Sequence, residues 1–305
     1  MPPQTGERQM LISKHPRISN VIQISSNAPG PKIVLFSGIH GDEVSGIHAL
    51  EKLFFDIFVG ARGLKRGTLT LARANERAIA AERRYVKHNL NRLFRDEYGP
   101  EIDKASYEFR RAQELKTILE RCDYFLDFHS APIAQEPFLI AERVAVKFFI
   151  DLGIPKIMTG WSKFSAGAIG GDAENYAGAH GANAATLESG SHFDKASNDT
   201  AYRAAIAFLA SLDVLEPEEE GTQVEPEIYD MYAVIKKEHA DFRYAGEAKN
   251  FKLLKQGEAF AYQDGRPVTV AEESFLLIPM QPEKTRINEE VCYLGRKLAL
   301  QPRTP

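Results

Sequence analysis

The chain has 305 residues, 44% hydrophobic and 26% charged, enough for a full-sized core in one large domain or two unequal ones. A formal net charge of −4 gives no sign of a nucleic-acid or anionic-membrane partner, and no apolar stretch nears the roughly 20 residues of a membrane helix. Two cysteines, Cys122 and Cys292, exclude a disulfide framework and a Cys-rich metal site; "MPPQTGERQM" lacks a secretory signal, so a cytoplasmic protein is expected.

In chain order, "VIQI" at 21 and "KIVLF" at 32 predict short strands. Ile47, Leu50, Leu53, Phe54 and Ile57 then recur at helical spacing, which predicts one buried helix face. "GTLTLARAN" (67–75) reads as a strand, and 104–121 as an amphipathic helix with Leu115, Ile118 and Leu119 inward. Further strands are expected at 124–131, 138–141, 156–160 and 183–190, and further helices at 144–153 and 200–212. Alternating strands and helices predict an α/β fold with a mixed, mainly parallel sheet covered by helices. The proline- and acid-rich "EPEEEGTQVEP" (216–226) reads as a linker, dividing an α/β domain over 1–222 from a small all-β domain over 223–305. Within the latter, Asp264-Gly265 is a hairpin-turn signal.

The chemistry starts at "SGIHGDEVSG" (37–46), where an apolar strand breaks on glycine into His-x-x-Glu. Zinc hydrolases need three nitrogen or oxygen ligands with a fourth position for water, and ligand sites in α/β sheets lie beyond the carboxyl ends of strands. His40 and Glu43 suit that place, although His-x-x-Glu alone also describes a solvated helix start. "FLDFHSA" ends a second strand at His129, with Asp127 two positions earlier to orient the imidazole or to bond locally. "TLESG" ends a third strand at Glu188, a candidate general base or a plain strand terminus. Between them, "NERAIAAERRYVKHNLNRLF" (75–94) offers Arg84 and Arg92 as guanidinium forks for a carboxylate or an oxyanion, with Asn91 beside the latter.

The order Gly-x-His-Gly-x-Glu, Asn-x-x-Ala, Arg-Tyr, Leu-Asn-Arg-x-Phe, Asp-x-His and Leu-Glu-x-Gly resembles the succinylglutamate desuccinylase and aspartoacylase family. The resemblance spans roughly residues 31–190 and implies a zinc carboxypeptidase-like fold with a small β domain appended. It implies one zinc ion per chain on His40, Glu43 and His129, Glu188 as general base, and Arg84 as stabiliser of the carbonyl oxygen. Asn75, Asn91 and Arg92 match substrate-binding positions, and Tyr293, one place beyond the matching Cys292, is a further candidate. Gly178 stands where the aspartoacylase branch carries a second substrate-gripping arginine; His180 and Asn175 are candidates to replace it.

The implied activity is zinc-dependent hydrolysis of the amide bond of an N-acyl amino acid or a related small amide bearing a carboxylate. Two alternatives stay open: a carboxypeptidase-like peptidase, since Arg92 suits a terminal carboxylate equally, and a non-catalytic zinc- or ligand-binding protein. The expected partner is a small molecule rather than nucleic acid or membrane, and a homo-oligomer is left open.

Overall fold

The computed structural model describes residues 10–132, 135–164, 171–217 and 224–299. They divide into two compact units, within Met1–Pro155 and Gly170–Pro226 for the first and within Lys156–Ile169 and Glu227–Pro305 for the second. The second unit thus takes in a mid-chain segment as well as the stretch beyond the expected linker, of which 218–223 lies outside the described residues.

The chain runs β1 (Met10–Lys14), β2 (Val21–Ser26), β3 (Lys32–Ser37), α1 (Val44–Phe58), β4 (Thr68–Arg73) and α2 (Glu76–Ala80). It continues through α3 (Tyr107–Leu119), β5 (Tyr124–Ala131), β6 (Phe138–Ala141), β7 (Lys156–Thr159), α4 (Ala173–Ala179), β8 (Asn183–Ser191) and α5 (Lys195–Ser211). There follow β9 (Glu227–Lys236), β10 (Arg243–Tyr244), β11 (Lys252–Leu254), β12 (Ala259–Gln263), β13 (Arg266–Thr269), β14 (Ser274–Leu277) and β15 (Glu290–Leu298).

In the first unit the strand order is β1-β2-β4-β3-β5-β8-β6. The four central strands, β4, β3, β5 and β8, are parallel, whereas β1, β2 and β6 pair antiparallel at the edges. Central strands are apolar on both faces because helices cover both. Five of the six residues of β3 are buried. On one face α1 and α5 pack together, α1 through Ile47, Leu50, Leu53 and Ile57, the spacing read from the sequence. On the other, Leu115, Ile118 and Leu119 of α3 meet Phe36, Phe125 and Ala177 in a continuous core. Each of those large side chains, buried, contributes about 1.5–3 kcal/mol.

Capping sets the helix starts: Ser106 accepts from Phe109 N before α3, Asp172 from Asn175 N before α4, and Asp194 from Ala196 N before α5. The helix expected over 144–153 is only a short 3₁₀ turn, Val146–Phe148. Ala145 provides no side-chain cap and Gly153, at φ 73°, leads into Pro155, so its apolar residues pack as irregular chain. Conversely, polar texture concealed α2 inside 75–94 and α4 inside the glycine-rich 165–183, of which 165–170 lies outside the described residues. Strand β1 gave no sequence signal.

In the second unit β7 pairs parallel with β9, and β9-β15-β14-β11 continue antiparallel, with a separate β10-β12-β13 sheet. Asp264 and Gly265, at φ 53° and 65°, make the expected turn between β12 and β13. Phe242, Leu254, Phe260, Leu276 and Val291 form this unit's core. No helix among the described residues is long and apolar enough to cross a membrane.

Candidate metal centre and active site

Three adjoining parallel strands, β3, β5 and β8, bring the sequence motifs to one end of the sheet. After β3 the chain turns at Gly38, φ 64°, and at Gly41 passes so close to α2 that a Cβ would lie 2.0 Å from the carbonyl carbon of Ala78. That approach presents His40 and Glu43 just before α1. In register, His129 on β5 faces Glu188 on β8.

His40 Nδ1 lies 2.8 Å from Glu43 Oε1, and His129 Nδ1 lies 2.8 Å from Glu43 Oε2. All three side chains are buried, none more than 3% exposed. Each imidazole uses its other nitrogen on an acceptor: His40 Nε2 meets Asn89 Oδ1 at 3.1 Å, and His129 Nε2 meets Asp127 Oδ2 at 2.9 Å. In the tautomer with hydrogen on Nε2 alone, both Nδ1 atoms would be free to ligate an ion, as a metal-ligating histidine requires. The three donor atoms lie within 4.8 Å of one another, so they could hold one divalent ion, and two nitrogens with one carboxylate suit zinc.

The electrostatics differ between the two imidazoles. Burial, opposed by Glu43, pushes His40 down to about 4, which keeps its imidazole neutral. Burial alone would raise Glu43, but the adjacent His40 and His129 hold it well below the usual carboxylate range. His129 is raised well above its ordinary value: burial lowers it, and Asp127 and Glu43 together outweigh that. Burial and then the charge of Glu43 push Glu188 up to about 7, and its Oε2 has neither accessible surface nor a hydrogen-bond partner. A carboxyl poised there can both take and return a proton near neutral pH.

Arg84 donates through Nη1 to Glu43 Oε1 at 2.8 Å while its side chain stays 47% exposed, leaving the rest of the guanidinium open. Asn91 and Arg92 lie on a 3₁₀ turn capped by Asn89. Asn91 Oδ1 accepts from Ala173 N at 3.0 Å, which leaves its Nδ2 as a donor; Arg92 Nη1 donates to Asn91 O at 2.7 Å. Asn75 is fully buried and bonds backbone at both ends, from Nδ2 to Ile39 O and at Oδ1 from Ala78 N, so it fixes the loop that carries His40. His180 is exposed at the end of α4, its Nδ1 on Tyr176 O, and Asn175 bonds Asp172; no bond joins either to the His–Glu–His group. In the second unit Tyr293 is fully buried with Trp161 and Phe164, each ring centroid 5.5 Å away.

Sequence reasoning passed over Asn89, Ser130 and His192. Asn89 Oδ1 also accepts from Asn91 N, joining the turn to His40. Ser130 N donates to Glu43 Oε2 at 3.2 Å, and Ser130 Oγ lies 2.8 Å from His192 Nδ1. His192 forms a second donor group with Asp42 and Glu43; sharing Glu43, it belongs to the same site. Its only signal was its place four residues after Glu188.

The fold and site define the class: a zinc carboxypeptidase-like α/β fold with a strand-end His–Glu–His group fit for a divalent ion. The chain belongs to the succinylglutamate desuccinylase/aspartoacylase family, whose catalytic-domain profile matches residues 29–214. It is 26% identical over 296 residues to a succinylglutamate desuccinylase of Vibrio cholerae, covering 89% of this chain and 83% of that one. A Pseudoalteromonas atlantica protein of the same name is 26% identical over 289 residues, covering 83% and 79%. The crystal structure of a Vibrio cholerae succinylglutamate desuccinylase superposes with a TM-score of 0.73 at 21% identity, covering 94% and 90%. A product-bound ectoine utilization protein from Ruegeria pomeroyi gives 0.68 at 18% identity, covering 94% and 93%. These relatives indicate a hydrolase.

Proposed function

We propose that the chain is a zinc-dependent hydrolase that cleaves the amide bond of an N-acyl amino acid or a related small amide bearing a carboxylate. The observation that carries this reading is the convergence of both Nδ1 atoms on Glu43, with Glu188 in register beside His129. His40, Glu43 and His129 would hold the ion. When bound, zinc supplies Lewis acidity and lowers the pKa of water towards about 7. Glu188 then accepts the proton of the attacking water and returns it to the leaving amine. Arg84 donates to the carbonyl oxygen as it becomes anionic. Arg92 and the free Nδ2 of Asn91 hold the substrate carboxylate. Asn75 completes the proposed set by fixing the His40 loop.

The test is metal analysis of the purified protein together with product identification on two panels, N-acyl amino acids and short peptides. One equivalent of zinc and a free amino acid from an acylated substrate is the expected result. Release of a peptide's terminal residue alone would favour the carboxypeptidase reading, and zinc binding without hydrolysis of either panel would leave a binding protein.

A further inference from the structure

Two oppositely charged residues one helical turn apart on α3, Glu108 and Arg111, are almost completely buried, at 0% and 2% exposure. Burying an ion costs several kcal/mol unless nearby groups compensate. At this spacing the two could pair with each other. They do not: Arg111 pairs with Glu114, at 3.1 Å.

Each instead reaches the backbone of a different loop. Glu108 Oε1 accepts from Val86 N at 2.8 Å and from Lys87 N at 3.1 Å, while its Oε2 is buried without a partner. Arg111 donates from Nε to Ala74 O at 2.8 Å and from Nη2 to Arg73 O at 2.9 Å. The chain just before α3 adds Lys87 Nζ to Asp103 at 2.6 Å, and Asp103 N to His88 Nε2 at 3.1 Å.

Both loops end in the site. Arg84, two residues before Val86, bonds Glu43, and its carbonyl accepts from Gly41 N at 3.3 Å. Asn89, two residues after Lys87, bonds His40. Ala74 leads into Asn75, which bonds Ile39 O next to His40. We infer that α3 is the strut that sets Arg84 and Asn89 against His40 and Glu43, with Glu108 and Arg111 as positioning residues that touch no substrate. The catalytic consequence rests on the proposed role of Arg84.

Glu108→Asp keeps the charge but withdraws the carboxylate by one methylene, and Glu108→Gln keeps an acceptor at full length. A displacement near 1 Å costs about 100-fold in rate. In Glu108→Asp we expect kcat to fall between tenfold and 100-fold on the order of that figure, with KM within about threefold. Glu108→Gln should restore most of the rate, and Glu108→Asp should cost little further in an Arg84→Ala background. Amide exchange over 84–89 should quicken about tenfold in Glu108→Asp while β5 and β8 stay protected. Unchanged exchange over 84–89 would overturn the strut whatever the substrate. Quickened exchange with unchanged kcat would overturn its catalytic role. Should the wild type hydrolyse no amide, the functional reading fails by itself, and exchange still decides the strut.

Discussion

Buried charge is handled differently at the candidate site of the first unit and at Lys237 of the second. At the carboxyl end of β3, β5 and β8, titratable groups face one another: buried Glu43 meets two buried imidazoles and the half-exposed Arg84, and buried Asp127 meets His129. In the second unit Lys237, 8% exposed, gives its ammonium to the carbonyls of Pro282 and Thr285 at 2.7 and 3.0 Å. A cation held by carbonyls straps a loop. Ionisable groups that face one another, by contrast, shift each other's proton affinity, which is a site's raw material.

The sharpest way to break this contrast is Glu188→Gln. Hydrolysis of the best substrate should fall by about 10²–10⁴, and the acidic limb of the pH–rate profile should vanish while zinc content stays at the wild-type value. Arg84→Ala should follow, lowering kcat by about 10²–10³ with little change in KM, as steady-state kinetics would show. Lys237→Met tests the other side: leaving two carbonyls unpaired should cost about 1–3 kcal/mol in urea denaturation, with zinc stoichiometry intact.

The smallest effect concerns Glu174, 4% exposed on α4, with a buried Oε1 lacking a partner. Burial, then the charge of Asp172, holds its pKa well above the ordinary range. The folded protein therefore keeps a proton that the unfolded chain releases. That contribution is complete below the unfolded pKa and is lost as pH rises through the folded one. Glu174→Gln should leave the acid-side urea midpoint nearly unchanged and raise the alkaline-side midpoint, flattening the dependence between them.

The apolar code was legible where its period was simple. "YFLDFHSA" and "FLIA" coincide with β5 and β6, and the α1 stripe is buried at Ile47, Leu50, Leu53 and Ile57, with Phe54 only half-buried. It misled at 144–153, where apolar residues pack without a helix, and was silent at α2 and α4, whose starts are marked by Asn75 and Asp172 caps rather than by an apolar stripe. The site was partly legible. His40, Glu43 and His129 stood at strand ends, whereas Asn89, Ser130 and His192 had ordinary surroundings in the chain.

The sequence by itself determined the strand-and-helix alternation and which residue types stand at the strand ends, because periodicity and punctuation are local properties. Only the tertiary structure decided that Asp127 takes one nitrogen of His129 and Asn89 one of His40, turning both Nδ1 atoms to Glu43. It alone also spent Glu108 and Arg111 on distant loops rather than on each other. The reason is physical: a buried polar group is satisfied by whichever partner folding brings within about 3 Å, and separation along the chain does not specify that partner.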